Sequence, residues 1–273
     1  MEKSKINIGV TGAAGRMGSA IIREVCETPL CCLAAATEII GHEAIGCDVG
    51  EFAGIDLLSI DITSDLDELF KKCDAVIDFT LPDAVSNHAA KAAIYGKALI
   101  IGTTGINSEQ QESVNRASKN SVVIQAPNMS LSVNLLIKLA EQAASILDEE
   151  YDVEIIEMHH RKKIDSPSGT ALGLGKAVAR GRNIRLEEFA ERGRDGITGE
   201  RKKGSIGFAS LRGGDVVGDH TVIFAANGER LELTHKATSR NTYARGAVHA
   251  ALWSQDKEPG LYNMRDVLNL EKS

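Results

Sequence analysis

Ile8-Gly-Val-Thr-Gly-Ala-Ala-Gly-Arg-Met-Gly18 decides the fold of this chain. Ahead of it, residues 5–11 form a short β-branched apolar run, the pattern of a buried strand. Behind it, residues 17–27 place Met17, Ile21, Ile22 and Val25 at helical spacing. Between the two stand Gly12, Gly15 and Gly18. In a strand–turn–helix setting the first glycine permits a tight turn. The second lets the backbone approach a pyrophosphate, and the third lets the helix pack closely on the strand. The free N–H groups at the helix start, with Arg16 beside them, then face phosphate.

Glu38 closes a second apolar run, residues 31–37. A carboxylate there accepts hydrogen bonds from the ribose hydroxyls of a bound dinucleotide. Ile39 and Ile40 follow, with no arginine to neutralise a 2′-phosphate. The expected cofactor is therefore NADH and/or NADPH, with NADH at least as good. Further apolar runs at 74–80, 98–102 and 121–126 alternate with helical patterns at 84–95 and 108–119. That alternation predicts a Rossmann-like, doubly wound parallel sheet. Ligands bind beyond the carboxyl ends of such strands. Gly102, Thr103 and Thr104 stand on that rim with groups suited to a nicotinamide carboxamide, and Ala126, Pro127, Asn128 and Met129 stand on it as well.

The pattern changes near residue 130. A long helix is expected over 132–147, a strand over 151–160, and a helix over 171–180. Strands are expected over 205–212, 220–226 and 229–235, the last two joined by Asn227-Gly228 in a type I′ hairpin. This is an α+β domain on an open mixed sheet. Few helices are left to cover it, so one sheet face is expected to pair with another copy of the chain. A final helix over 243–253 is expected to return to the first domain. The expected division is a dinucleotide-binding domain from 1–130 and 241–273, and a substrate-binding and oligomerisation domain from 131–240.

Glu157-Met-His-His-Arg-Lys-Lys-Ile-Asp-Ser-Pro-Ser-Gly-Thr-Ala171 carries the chemistry of the second half. His159 and His160 would face opposite sides of a continuing strand, so they are read as having different tasks. A histidine can donate a proton near neutral pH, and Lys163 can bind a carboxylate or assist. Ser168, Gly169 and Thr170 at a helix start offer N–H groups and hydroxyls to an anion. A small acid bearing carboxylates, protonated as it is reduced, fits this set. Adjacent histidines do not easily share one ion, and no metal is expected. Arg192, Arg194, Arg201, Lys202 and Lys203 have no interleaved aromatic residues and read as a mobile, solvated loop. Arg240 is a candidate for a substrate carboxylate.

The 273-residue chain carries a net charge of −7, which argues against nucleic acid as the main partner. No apolar run reaches the roughly 18 residues that span a bilayer, and the N-terminus shows no apolar leader. The five cysteines, Cys26, Cys31, Cys32, Cys47 and Cys73, are odd in number and form no Cys-x-x-Cys pair. They read as reduced thiols of a cytoplasmic protein. Beyond Cys73 no cysteine remains for the covalent step of a semialdehyde dehydrogenase. A dinucleotide-sensing regulator stays open as a rival.

Taken together, the glycine loop, the Ile-Asp-Phe-Thr and Ile-Gly-Thr-Thr-Gly strand ends, Ala-Pro-Asn-Met-Ser and the histidine-pair motif resemble the dihydrodipicolinate reductase family. The similarity runs essentially end to end. It implies reduction of an unsaturated cyclic dicarboxylate in diaminopimelate and lysine synthesis, by a homotetramer. It implies His159 as the acid, Lys163 as second donor or electrostatic partner, and His160, Gly169 and Thr170 as carboxylate ligands. It also implies that Gly12, Ala13, Ala14, Gly15, Arg16, Met17, Glu38 and the two rim segments hold the dinucleotide. The chain departs from many NADPH-using relatives at Ile39 and from some at Leu81.

Overall fold

The computed structural model describes residues 5–270. Residues 1–4, part of the stretch read above for a leader, lie outside the described residues with 271–273. The chain divides into two compact units, 1–131 with 240–273, and 132–239.

In the first unit the chain runs β1 (Ile6–Thr11), α1 (Arg16–Glu27), β2 (Cys31–Thr37), α2 (Val49–Ala53), β3 (Ile62–Thr63) and α3 (Leu66–Lys72). It continues β4 (Ala75–Asp78), α4 (Pro82–Tyr95), β5 (Ala98–Ile101), α5 (Ser108–Ala117) and β6 (Val122–Gln125). After the second unit it returns as α9 (Asn241–Trp253), β12 (Gly260–Tyr262) and α10 (Met264–Val267). The strands form a sheet in the order β12-β6-β5-β4-β1-β2-β3, paired in parallel throughout.

Each central strand feeds two cores because successive side chains point to opposite faces. Ile8, Val10, Ile77, Ile100 and Ile124 face a layer built with α1 and α9. Val76, Leu99, Ile101 and Val123 face a layer with Leu69, Val85, Ala89 and Val114. That is why these strands read as unbroken apolar runs. Sequence order reverses around β1, between β2 and β4, and the crevice beyond these strand ends is where such sheets bind ligands.

In the second unit come α6 (Leu131–Ile146), β7 (Asp152–His159), α7 (Gly169–Gly181), α8 (Leu186–Phe189), β8 (Ala190–Glu191), β9 (Ile206–Arg212), β10 (Gly218–Ala226) and β11 (Glu229–Ala237). The sheet order is β11-β10-β7-β9-β8. It is mixed: β10 is antiparallel to β7 and β11, while β9 is parallel to β7 and β8. Val153, Ile155, Ile206, Phe208, Val222 and Phe224 pack against Leu136, Ala140, Leu174 and Val178 of α6 and α7. On the opposite face Ile156, Met158, Thr221 and Ile223 are only half-buried, and Ala209 and Leu211 are exposed.

Two local readings are corrected. Gly228 has φ +90°, but Asn227 does not share a positive φ. A type I′ turn needs both, so the two-residue connection fits type II. The basic stretch is also not a freely solvated loop. Arg194 donates to Glu154 (2.9 Å) and to Glu191 (2.7 Å). Arg201 donates to Asp152 (2.7 Å), Glu154 (3.0 Å) and the Ser205 carbonyl (2.7 Å). Planar guanidinium forks match those paired acceptors and pin the stretch to the sheet edge.

Candidate active site

The glycine loop is built by close approach. Gly12 has φ +67°, a conformation that disfavours other residues. A Cβ on Gly18 would lie 2.1 Å from the Gly12 carbonyl oxygen and 2.8 Å from the Ala13 Cα. Only a hydrogen fits there, so α1 starts hard against the loop. Gly15 caps α1 without a side-chain hydrogen bond. The first-turn N–H groups of Arg16, Met17 and Gly18 therefore have no acceptor within the helix, and Arg16 is exposed beside them.

Two predicted loop residues have other duties. Ala13 is fully buried, and its N–H donates to the Thr37 carbonyl (3.1 Å). The Ala14 N–H donates to Glu38 Oε1 (3.0 Å), while Glu38 Oε2 accepts from the Ile39 N–H (3.1 Å). Glu38 is thus bound to the glycine loop itself, at the far end of β2. This cradle, with its uncapped helix start and fixed carboxylate, fits a dinucleotide.

The rim after β4 and β5 is locked from beneath. The Thr103 hydroxyl accepts the Thr80 N–H (2.9 Å) and lies 3.2 Å from Asp78 Oδ1. Thr103 is therefore committed to the rim's own bonding, and Thr104 is the exposed hydroxyl. Gly102 lies under the Phe79 ring, where a Cβ would come within 2.2 Å. Sequence reasoning missed the group below. Asp78 is fully buried, its Oδ2 2.9 Å from His88 Nδ1 and its Oδ1 accepting the Thr80 hydroxyl (2.6 Å). Burial opposes the Asp78 charge, but His88 and Thr80 more than offset it and hold its pKa below the ordinary value. No motif announces this pair, because Asp78 and His88 meet only when α4 folds back on β4.

Beyond β6, Ala126 and Met129 are buried in the first core, so they offer a ligand only backbone. Pro127 is exposed and Asn128 half-exposed, with Asn128 Oδ1 accepting the Ser130 N–H (2.8 Å). Arg240 immediately precedes α9 and makes no side-chain cap bond there.

In the second unit, β7 alternates in burial, and Glu157 and His159 fall on the covered face with Val153 and Ile155. Two polar side chains in that position need partners. His159 Nδ1 lies 2.5 Å from Glu157 Oε2. Burial lowers the His159 pKa, Glu157 pulls it back up, and Lys163 and Arg212 add to the lowering. The net result is below the ordinary histidine value. His160, the next residue, has a buried Nδ1 with no hydrogen-bond partner. Lys163 Nζ pairs with Asp165 Oδ1 (2.7 Å).

The loop ends at α7. Ser168 is its N-cap, with Oγ accepting the Ala171 N–H (3.2 Å) and lying 3.0 Å from His220 Nε2. Ser168 is buried, so its hydroxyl serves the cap rather than a ligand. Gly169, by contrast, is exposed, and a Cβ there would meet nothing within 4 Å. Thr170 follows it, half-exposed. The open start of a 13-residue helix, with His160 and Lys163 nearby in sequence, suits a carboxylate. Among the described residues no group of three or more potential ligands could hold a metal ion, and no helix is long and apolar enough to cross a membrane.

Both halves of the chain match one known family. The model for the N-terminal part of dihydrodipicolinate reductase matches residues 6–129, and the model for its C-terminal part matches residues 132–268. A 4-hydroxy-tetrahydrodipicolinate reductase of Dinoroseobacter shibae is 50% identical over 96% of this chain and 98% of its own. The Ruegeria pomeroyi protein of the same name is 51% identical over the same shares. Among solved structures, a dipicolinate-bound dihydrodipicolinate reductase from Paenisporosarcina sp. TG-14 superposes with TM-score 0.76 at 25% identity, covering 95% of this chain and 97% of that one. A glycine cradle on one unit, a buried histidine–glutamate pair on the other, and matches that span both lead to one conclusion: the chain belongs to the dihydrodipicolinate reductase family.

Proposed function

We infer that the chain catalyses the 4-hydroxy-tetrahydrodipicolinate reductase reaction, an NAD(P)H-dependent step of diaminopimelate and lysine synthesis that gives tetrahydrodipicolinate. The observation that carries the chemical role is the buried His159–Glu157 pair, 2.5 Å apart, on the strand that leads to the open start of α7. A bound reduced nicotinamide supplies the hydride. The 4-hydroxyl leaves as water to give the unsaturated ring; hydride addition to that ring then leaves an electron pair that must take one proton, and His159 is the donor. Lys163 is the second donor or the electrostatic partner. His160 and the N–H groups of Gly169 and Thr170 hold carboxylate, and a doubly negative substrate favours the protonated form of His159.

On the first unit, Gly12, Gly15, Arg16, Met17 and Gly18 hold the pyrophosphate through the loop and helix start. Glu38 takes the ribose hydroxyls, which favours NADH at least as much as NADPH. Gly102 and Thr104, with the backbone of 126–129, border the nicotinamide. The half-buried face carrying Ile156, Met158 and Ile223 supports a homotetramer joined through the second sheet. Five free thiols fit a reducing, cytoplasmic setting.

The test is oxidation of NADH and NADPH in the presence of freshly generated substrate, with wild type and His159→Gln. Loss of about 10²–10⁴-fold in rate with little change in dinucleotide affinity is the expected result. Dinucleotide binding without turnover would favour the regulator instead.

A further inference from the structure

Glu157 is 1% exposed, and nearly every partner it has is a pure donor. Arg212 Nη2 donates to Oε1 (2.8 Å) and Arg212 Nη1 to Oε2 (2.8 Å). The Ser168 N–H donates to Oε1 (3.2 Å). Neither a guanidinium nor an amide N–H accepts, so a proton on Glu157 would break this arrangement. The carboxylate is therefore an acceptor for His159 too, and the hydrogen between them belongs to Nδ1. Arg212 and His159 together hold the Glu157 pKa down at about 2 against its burial, in agreement with this geometry.

Arg212 does more than neutralise. It also donates to the Asp165 carbonyl (2.7 Å), and Asp165 pairs through its side chain with Lys163. One guanidinium thus ties the carboxylate behind His159 to the loop that carries Lys163. The other ring nitrogen, His159 Nε2, faces Gly218, where a Cβ would stand 3.0 Å away. The His220 ring meets the His159 ring edge-on at 5.1 Å. Burial pushes its pKa down to about 4, so at neutral pH it adds no second cation. The charged and titratable groups around His159 are then Glu157, Arg212, Lys163 with Asp165, and the neutral His220, with His235 beyond it.

We propose that Arg212 and Glu157 are positioning residues: the Arg212 fork fixes the Glu157 carboxylate, which holds the His159 ring with hydrogen on Nδ1, leaving Nε2 as the only nitrogen that exchanges a proton with substrate. This rests on the reading of His159 as the acid. It extends that reading to a residue of β9, 53 positions beyond His159 in the chain.

Two readouts test it. The first is histidine-selective ¹⁵N NMR of the wild-type protein without substrate, above the His159 pKa. The expected neutral tautomer has hydrogen on Nδ1. A His159 signal with hydrogen on Nε2 overturns the proposal whether or not the enzyme turns over. The second is the pH profile of kcat for Glu157→Gln and Arg212→Met. Removing the carboxylate lowers the pKa of His159, so the alkaline limb moves to lower pH. Removing the guanidinium leaves the carboxylate unshared, so the limb moves to higher pH. Both variants should lose at least about tenfold in kcat, and no more than the roughly 10²–10⁴-fold that the acid itself contributes, with a smaller change in KM. Arg212→Lys should restore the limb and only part of the rate, since it keeps the charge and loses the fork. Limbs that stay put, or move the same way in variants with wild-type-like circular dichroism, refute the proposal. Absence of turnover in wild type refutes the function and leaves the NMR result to decide the positioning.

Discussion

Replacing Glu38 with glutamine should relax cofactor choice by a calculable amount. Both carboxylate oxygens are held by backbone, Oε1 by the Ala14 N–H at 3.0 Å and Oε2 by the Ile39 N–H at 3.1 Å. The charge therefore cannot swing away from an incoming group. A 2′-phosphate carries about −1.5 to −2 charges at neutral pH. A pair of unit charges about 4 Å apart interacts by about 1 kcal/mol in bulk water and about 4 kcal/mol at an effective dielectric constant of 20. Glu38 is half-buried and Ile39 is 73% exposed, so the site lies toward the watery end. A penalty of about 1–2 kcal/mol follows, roughly 5- to 30-fold in relative kcat/KM. Glu38→Gln keeps the size and one accepting oxygen while removing the charge. The ratio of kcat/KM for NADPH to that for NADH should rise by that factor, measured by steady-state nicotinamide oxidation. Added salt should narrow the wild-type preference and leave the variant's nearly flat. An unchanged ratio in Glu38→Gln, or a wild type that already strongly favours NADPH, would refute the electrostatic argument.

Three further outcomes are expected. Gly18→Ala drives a methyl to 2.1 Å from the Gly12 carbonyl, so α1 must shift and NADH affinity should fall by more than about tenfold in titration calorimetry; unchanged affinity would deny the close approach. The Glu157 carboxyl drops from 4.5 to about 2 on folding, which contributes stability in full above pH 4.5 and loses it as the pH falls toward 2. At about 1.4 kcal/mol per unit this is on the order of 3 kcal/mol, so the urea-measured gap between wild type and Arg212→Met should hold above about pH 5 and shrink as the pH falls to about 3, and a constant gap would count against it. Ile223→Asp places a charge on the half-buried sheet face and should shift native mass spectra from the proposed tetramer to smaller species; a wild-type monomer would refute the proposed tetramer, and a tetramer unaltered in the variant would place the interface elsewhere.

Much of the fold was legible because apolar runs and helical spacing are local. The runs around Ile8, Val76, Leu99 and Val123 are short, unbroken and bounded by turn residues, so their strands could be read within a few positions. Elements that escaped are mostly too short to show a period, among them α2 with five residues, β3 with two, α8 with four and β12 with three. α2 and its flanks are organised by Asp48, whose carboxylate accepts the N–H groups of Gly50, Leu58 and Ile60. The last two are contacts across ten and twelve positions, which periodicity cannot register. The basic stretch was misread for the same reason, since its arginines find Asp152 and Glu154 some 40 residues back in sequence.

For the site, sequence by itself determined the chemical inventory: a glycine turn for phosphate, an acid at the end of β2, a histidine pair, a lysine and a helix start. Each of these is a local feature of the chain, so residue type and spacing can point to it. Tertiary structure alone decided which groups are free to act. It committed the Ala13, Thr103 and Ser168 polar groups to internal bonds, left Gly169 and Thr104 exposed, and brought Arg212 from another strand behind Glu157. A hydrogen bond that is already made cannot serve a ligand, and only the folded arrangement shows which bonds are made.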